Sequence, residues 1–323
     1  MKITIVAFEG CMTSAVYGQA DAFAIAAYIA GRRGDASWSG HDVAIATPAG
    51  TPVPGYGGHP IKPHCSLADA GESDVVLIPP IFNDIEQTLA LERGLVGWLR
   101  TFPKNSALLA STCTGAFLLA EAGHLDGRRV TTNPAFSALF ERRYPAVRLA
   151  LDERIIDDSR VICAGATTAY LNLAIHIIDR LAGHDLAVAT AKALQIDRHA
   201  ESQRPYFLFI APKDHGDDKV LKLQTWIETH HGRAIGMDDM ADVAGMSVRN
   251  LNRRFVSATG ISPRQYLRRV RIEAAKRLLE APNASVDRIA DAVGYRDTRA
   301  FIRAFGVVAG ISPGQYRQKF RQG

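Results

Sequence analysis

The chain has 323 residues, 47% hydrophobic and 22% charged, which is enough apolar matter for cores in at least two units and excludes disordered, collagen-like and disulfide-scaffold classes. Its formal net charge of +5 is unevenly held: residues 217–323 carry 19 basic against 11 acidic side chains, and residues 1–216 carry 19 against 22, so a polyanionic partner is expected to meet only the C-terminal third. Four cysteines, Cys11, Cys65, Cys113 and Cys163, show neither CxxC spacing nor Cys/His clustering, which predicts no metal site and a reducing compartment, the cytoplasm.

The opening MKITIVAFEG has one Lys and a short apolar run, and predicts a first strand rather than an export signal. Strand patterns over Ile3 to Phe8, Asp42 to Thr47, Val75 to Pro79 and Ala107 to Ser111 alternate with helical patterns to about Ala30, from about Glu86 to Thr101, and to Glu121. The apolar stretch Val161 to Ile178 is broken by Thr167, Thr168, Asn172 and His176, so it predicts a strand and a buried helix, and no membrane partner. This order implies an α/β domain over residues 1–198, a flavodoxin-like, mainly parallel sheet with helices on both faces, whose ligands bind at the carboxyl ends of the strands. His59 and His64 lie in a Gly/Pro-rich loop without a ligand-spaced partner, and the adjacent His230 and His231 cannot share one helix face, so none of them predicts a metal.

One corner of this domain carries possible chemistry. "ALLASTCTGAFLLAEAG" puts Cys113 between a buried strand and a helix beginning near Gly115, the kind of turn that exposes a nucleophile beside a helix N-terminus. With "STCTGAFLLAEAGHLDGRRVTTNPAF" and "DDSRVICAGA", residues 2–185 resemble the class I glutamine amidotransferase-like superfamily, in its intracellular protease/amidase-like branch. The resemblance implies a corner Cys that attacks a carbonyl, a His about twenty residues on, and backbone amides at a Gly-Gly turn. This chain has Asn133 in place of the His, and an amide takes no proton at neutral pH. It has Pro79, Pro80 and Ile81 at the turn, and proline has no N–H to donate. Met12, Thr13 and Ser14 stand where relatives place an acid. No catalytic residue and no cofactor is therefore expected, and Thr13, Asn83, Cys113, Thr114 and Asn133 are the candidate lining of a site for a small polar or nitrogenous metabolite.

Residues 199–216 combine charge, proline and glycine and read as a linker, although Phe207 to Ile210 are too apolar to remain in water. Beyond it, "ADVAGMSVRNLNRRFVSATGISPRQY" (Ala241 to Tyr266) recurs as "ADAVGYRDTRAFIRAFGVVAGISPGQY" (Ala290 to Tyr316). Each copy reads as a helix, a turn at Gly245 or Gly294, and a second helix, giving helix-turn-helix motifs over 238–258 and 286–306 of an all-α domain, 217–323. Asp238, Ser247 and Ser285 are the expected caps, and Ser262 with Pro263 opens a connecting helix to about Leu279. Arg249, Asn250, Asn252 and Arg253 in the first copy, and Thr298, Arg299 and Arg303 in the second, are the candidate DNA contacts, since Arg reads guanine and Asn reads adenine through paired hydrogen bonds. Ile302 stands in the second copy where Asn252 stands in the first, so the second is expected to rely more on phosphate and methyl contacts.

The paired "GISP..QY" endings make residues 217–320 similar to the DNA-binding domain of the AraC/XylS family of bacterial transcription factors. That resemblance implies two motifs entering successive major grooves on one face of promoter DNA, which recur about every 34 Å. The expected protein is a homodimeric regulator that binds promoter DNA, meets the transcription machinery, and is controlled by a metabolite in a non-catalytic α/β domain. Two readings stand beside it: a regulator that keeps Cys-dependent amidase or hydrolase activity, and a DNA-binding protein that ignores ligands.

Overall fold

Aliphatic runs that alternate with longer helical patterns become, in a computed structural model, the elements of two units, Met1–Gln203 and Arg204–Gly323. The structure describes residues 1–38, 41–102, 107–197, 202–209, 211, 213–281 and 284–321. The first unit holds strands β1 (Lys2–Val6), β2 (Asp42–Thr47), β3 (Val53–Pro54), β4 (Pro60–Ile61), β5 (Cys65–Ser66), β6 (Val75–Ile78), β7 (Leu108–Thr112), β8 (Arg129–Val130), β9 (Arg148–Leu149), β10 (Ile155–Asp158) and β11 (Val161–Ala164). Its helices are α1 (Thr13–Arg33), α2 (Leu67–Ala70), α3 (Ile85–Leu91), α4 (Arg93–Thr101), α5 (Ala116–Glu121), α6 (Ser137–Arg143), α7 (Tyr170–Ala182) and α8 (His184–Ala193).

Seven strands form the main sheet in the order β10-β11-β7-β6-β1-β2-β5, parallel throughout except for β10. The central strands β6, β7 and β11 are buried along their whole length, as a parallel sheet covered on both faces requires. From β1 the chain winds outward to β2, then returns to β6 on the other side of β1 and continues to β7. Right-handed crossovers in opposite directions put α1 and the α3–α4 pair on opposite faces. The reversal between β1 and β6 opens a crevice at their carboxyl ends, where the loops that follow them diverge.

The helix expected from Glu86 to Thr101 is instead two, divided at Glu92. Glu92 turns inward, its carboxyl accepts the backbone N–H of Glu9, and burial raises its pKa. Backbone hydrogen bonds still run across the break, from Glu92 to Thr88 and from Val96 to Glu92.

In the second unit, α9 (Asp218–His230), α10 (Met237–Ala244), α11 (Val248–Thr259), α12 (Pro263–Glu280), α13 (Val286–Ala292), α14 (Thr298–Ala309) and α15 (Pro313–Phe320) build two small cores. One gathers Leu223, Ile227, Met240, Leu251, Phe255 and Tyr266. The other gathers Ile272, Leu279, Ile289, Phe301, Phe305 and Tyr316. Ser247 and Ser285 cap α11 and α13 as expected, but α10 starts from Gly236, whose N–H is held by Asp239 rather than by an Asp238 cap. Helix α12 begins at Pro263 behind Ser262, which exchanges hydrogen bonds with Gln265, and Ser312 and Gln315 repeat that arrangement at α15.

The stretch 199–216 is shared between the units. Ser202 and Gln203 lie in the first, while Arg204 to Phe209 pack in the second; 199–201, Ile210 and Pro212 lie outside the described residues. Phe209 shelters against Tyr266, whereas Leu208 is 74% exposed.

Both turn glycines adopt the left-handed conformation, with φ of +61° at Gly245 and +86° at Gly294, but their surroundings differ. A Cβ at Gly245 meets open space, and one at Gly294 would sit 2.6 Å from the His231 carbonyl oxygen. Gly245→Ala should therefore cost about 1 kcal/mol from backbone strain alone, and Gly294→Ala about 3 kcal/mol, read from the urea midpoints of the full-length variants.

Candidate functional site

Cys113 follows β7 directly and begins a single 3₁₀ turn, Cys113–Gly115, that leads into α5. Its φ is +57°, a conformation that non-glycine residues rarely adopt, so the strand-to-helix corner expected from the sequence is present with its strain. The turn is this tight because Gly115 lies against β6: a Cβ there would be 2.7 Å from the Ile78 oxygen and 2.6 Å from the Pro79 oxygen.

Three loops converge at this corner. The Thr114 hydroxyl donates to the Ile81 carbonyl at 2.8 Å and accepts the Ile81 N–H at 2.9 Å, tying the loop after β7 to the loop after β6. Ile81 in turn pairs with Cys11, the Phe82 N–H donates to the Gly10 carbonyl, and the Met12 N–H donates to the Pro80 carbonyl, which ties in the loop after β1. The candidates Thr13, Asn83, Cys113 and Thr114 thus come from adjacent loops at the crevice. Asn133 reaches the corner from downstream, its Nδ2 donating to Cys113 Sγ at 3.3 Å.

Their parts differ. The Thr114 hydroxyl is spent on the backbone and buried, so it builds the wall. Asn83 is exposed and lies flat over Gly10, where any Cβ would collide with its amide. Thr13 packs its hydroxyl against Gly55, and this buried Oγ1 has no hydrogen-bond partner; nor has the buried Oγ1 of Thr112, next to Cys113. Gln19, His41 and Arg154 also hold buried side-chain polar atoms without a hydrogen-bond partner.

The chemistry at Cys113 is set by what surrounds it. Asn133 Oδ1 accepts the Ala135 N–H at 3.0 Å, which fixes the amide so that its NH₂ faces sulfur. A donor in that position cannot take the thiol proton. The Pro79–Pro80 turn brings carbonyl oxygens, not N–H groups, toward Gly115, so it builds no oxyanion hole. Cys113 itself is 2% exposed.

Two neighbours were not anticipated from the sequence. Thr167, after β11, has its hydroxyl 3.5 Å from Cys113 Sγ. Gln203 donates from Nε2 to Thr131 Oγ1 at 3.0 Å and to the Leu151 carbonyl at 2.6 Å, and it lies over Gly165. Thr131 to Asn133 are continuous, and the Thr132 hydroxyl donates to the Cys113 carbonyl at 2.8 Å. Pairing of β11 with β7 would have pointed to Thr167, because parallel neighbours carry their following loops to one edge.

In the second unit, α11 buries Leu251 and Phe255 and α14 buries Phe301 and Phe305. The opposite faces present Arg249, Asn252 and Arg253, and Arg299 and Arg303, all exposed. Among the described residues no hydrogen bond or ion pair holds the side chain of Arg249, Asn252, Arg299 or Arg303. Arg253 donates to Asn250 Oδ1 at 3.1 Å, so Asn250 orients an arginine. Thr298 donates to Asp287 at 2.6 Å, a bond internal to its motif that engages its one donor. Ile302 is exposed between the arginines of α14. Arg254 is different again, held by Asp217 at the start of α9.

Comparison with known proteins gives this architecture a class. Residues 1–180 match the DJ-1/PfpI family and residues 240–319 match a helix-turn-helix domain. The chain belongs to the DJ-1/PfpI family, with a helix-turn-helix domain at its C-terminal side. It is 26% identical over 269 residues to the HTH-type transcriptional regulator CdhR of Pseudomonas aeruginosa, covering 83% of this chain and 79% of that protein. GbdR of the same organism, also an HTH-type transcriptional regulator, is 26% identical over 71% of this chain, a match that spans 62% of GbdR. In fold, the chain resembles Drosophila melanogaster DJ-1beta, with a TM-score of 0.51 at 20% identity over 61% of this chain and 98% of that one. It also resembles a ThiJ/PfpI family protein from Pseudomonas syringae, with a TM-score of 0.51 at 17% identity over 76% and 90%.

The difference between the outward-facing arginines of α11 and the arginine held by Asp217 is testable. Arg253→Ala or Arg249→Ala should weaken specific binding by about 1 to 3 kcal/mol and relax base choice at one position. Arg254→Ala should leave base choice intact; footprints on duplexes selected by the wild-type chain distinguish the two.

Proposed function

We propose that this DNA-binding transcriptional regulator is controlled by a small polar, nitrogenous metabolite at the Cys113 corner, and that the corner performs no reaction. The observation that carries the regulator is the repeated placement of unengaged arginines on the outer faces of α11 and α14, each over a buried aromatic pair. Arginine and asparagine supply the donors for base edges, and the surrounding positive charge supplies affinity for phosphate. In the first unit the unmet hydroxyls of Thr13 and Thr112 and the aimed amide of Asn133 favour a polar ligand. The regulator works as a homodimer in the cytoplasm, bound to promoter DNA beside the transcription machinery.

Ligand control has a short route through the chain. The segment Thr131 to Asn133 is fastened to Cys113 at one end and to Gln203 at the other, and Gln203 is joined by one peptide bond to the second unit. A ligand that displaces Asn133 from Cys113 would also disturb the seat of Gln203. For control, it must bind the DNA-competent arrangement with a different affinity from the other arrangement.

Two experiments test this reading. In a thermal-shift screen of amino-acid-like and other nitrogenous metabolites, at least one should raise the melting temperature of the full chain, and the gain should vanish in Asn133→Ala. Incubation with amide and peptide substrates should give no Cys113-dependent turnover; measurable turnover that is lost in Cys113→Ser would replace the sensor with an enzyme.

A further inference from the structure

The two cores of the second unit are separate clusters, and the helix common to both is α12. A single helix fixes the relation of two modules only as well as it resists bending. Lys276, near the C-terminal end of α12, is 2% exposed, and a lysine that deep must be paired. Its Nζ donates to Glu273 at 2.7 Å and to the backbone carbonyl of Phe207, and it lies 6.0 Å from the Tyr316 ring centre.

Phe207 belongs to a six-residue segment, Arg204 to Phe209, whose two ends grip different modules. At the start, Arg204 donates to the Val307 carbonyl near the end of α14 at 3.3 Å and lays its stem on Gly310. Tyr206 packs edge-on against Phe320 of α15, with ring centres 5.2 Å apart, and Lys319 lies over its face. At the end, Phe209 packs edge-on against Tyr266 in the first core, 5.2 Å between centres, beneath Arg269. The middle is held by Lys276. The segment therefore crosses from one motif to the other and is tied at both ends and at its centre.

We infer that Arg204–Phe209 is a brace that sets the separation and angle of α11 and α14, so that the chain accepts one spacing between its two DNA half-sites, with Lys276 as the positioning residue. The inference rests on the DNA-binding reading. Tyr206, Phe209 and Lys276 touch no candidate base contact, so they would act on spacing rather than on base identity.

The test uses the full-length chain and a duplex that the wild-type chain selects from a random-sequence library, together with duplexes that carry one or two base pairs inserted or deleted between the two footprints. The wild-type chain should lose about tenfold or more in affinity when the spacing changes. In Tyr206→Ala, Phe209→Ala and Lys276→Met that ratio should shrink at least about threefold, with binding to a single half-site unchanged, and Lys276→Arg should restore it in part. If Lys276→Met does not fold, Tyr206→Ala carries the test, because its ring is 57% exposed and lies outside both cores. Unchanged ratios in folded variants overturn the brace alone. Failure of the wild-type chain to select any duplex overturns the regulator reading and the brace with it.

Discussion

The second helix of each helix-turn-helix motif, α11 or α14, is held from beneath by one tyrosine. Tyr266 lies edge-on to Phe255 with ring centres 5.3 Å apart, and Tyr316 lies edge-on to Phe305 at 5.5 Å. Their hydroxyls donate to Glu228 at 2.6 Å and to Glu280 at 2.9 Å. Burial and the adjacent carboxylate both push these phenols well above the usual tyrosine range, so the proton stays in the hydrogen bond. A buried ring with a satisfied polar tip specifies one arrangement of three helices, where an aliphatic side chain would allow several. The orientation of the outer faces of α11 and α14 depends on this. The Ser-Pro-x-Gln start of α12 and of α15 sets the helical phase at which the tyrosine enters.

The first unit keeps a reactive-looking scaffold and changes its chemistry. The positive φ at Cys113, the close approach of Gly115 to β6 and the convergence of three loops belong to the backbone, and they persist whichever side chains occupy the crevice. The side chains at the corner are an amide that donates to sulfur and a proline turn offering carbonyl oxygens, with Met12, Thr13 and Ser14 after Gly10. An acid does sit near the crevice, but Glu92 is directed at the Glu9 backbone, not at Cys113.

Between the two units the backbone does more than span distance. Gln203 is bound into the wall behind the Cys113 corner, and Arg204 begins the segment that crosses both helix-turn-helix motifs. The linker, whose apolar run Phe207 to Ile210 is expected to pack, is tied down by specific bonds on either side of the Gln203–Arg204 peptide. Its composition of charge, proline and aromatic residues leaves the partners open, because a polar, proline-containing stretch carries no periodicity to show which surface it will find.

Sequence alone determined the features that arise within a few residues of one another. The buried strands, the paired motifs with their glycine turns and serine caps, and the strand-to-helix corner at Cys113 all follow from local backbone preference or side-chain chemistry. The expected Asp238 cap and unbroken Glu86–Thr101 helix differ from the structure, where α10 starts from Gly236 with Asp239 holding its N–H, and α3 and α4 divide at Glu92. Only the tertiary structure decided that Thr167 and Gln203 join the corner, that Glu228 and Glu280 receive the tyrosine hydroxyls, that Thr298 is engaged by Asp287, and that Lys276 holds the Phe207 carbonyl. Most of these partners are separated by many residues, and a hydrogen bond between distant positions leaves no pattern in either stretch of sequence until packing brings the two together.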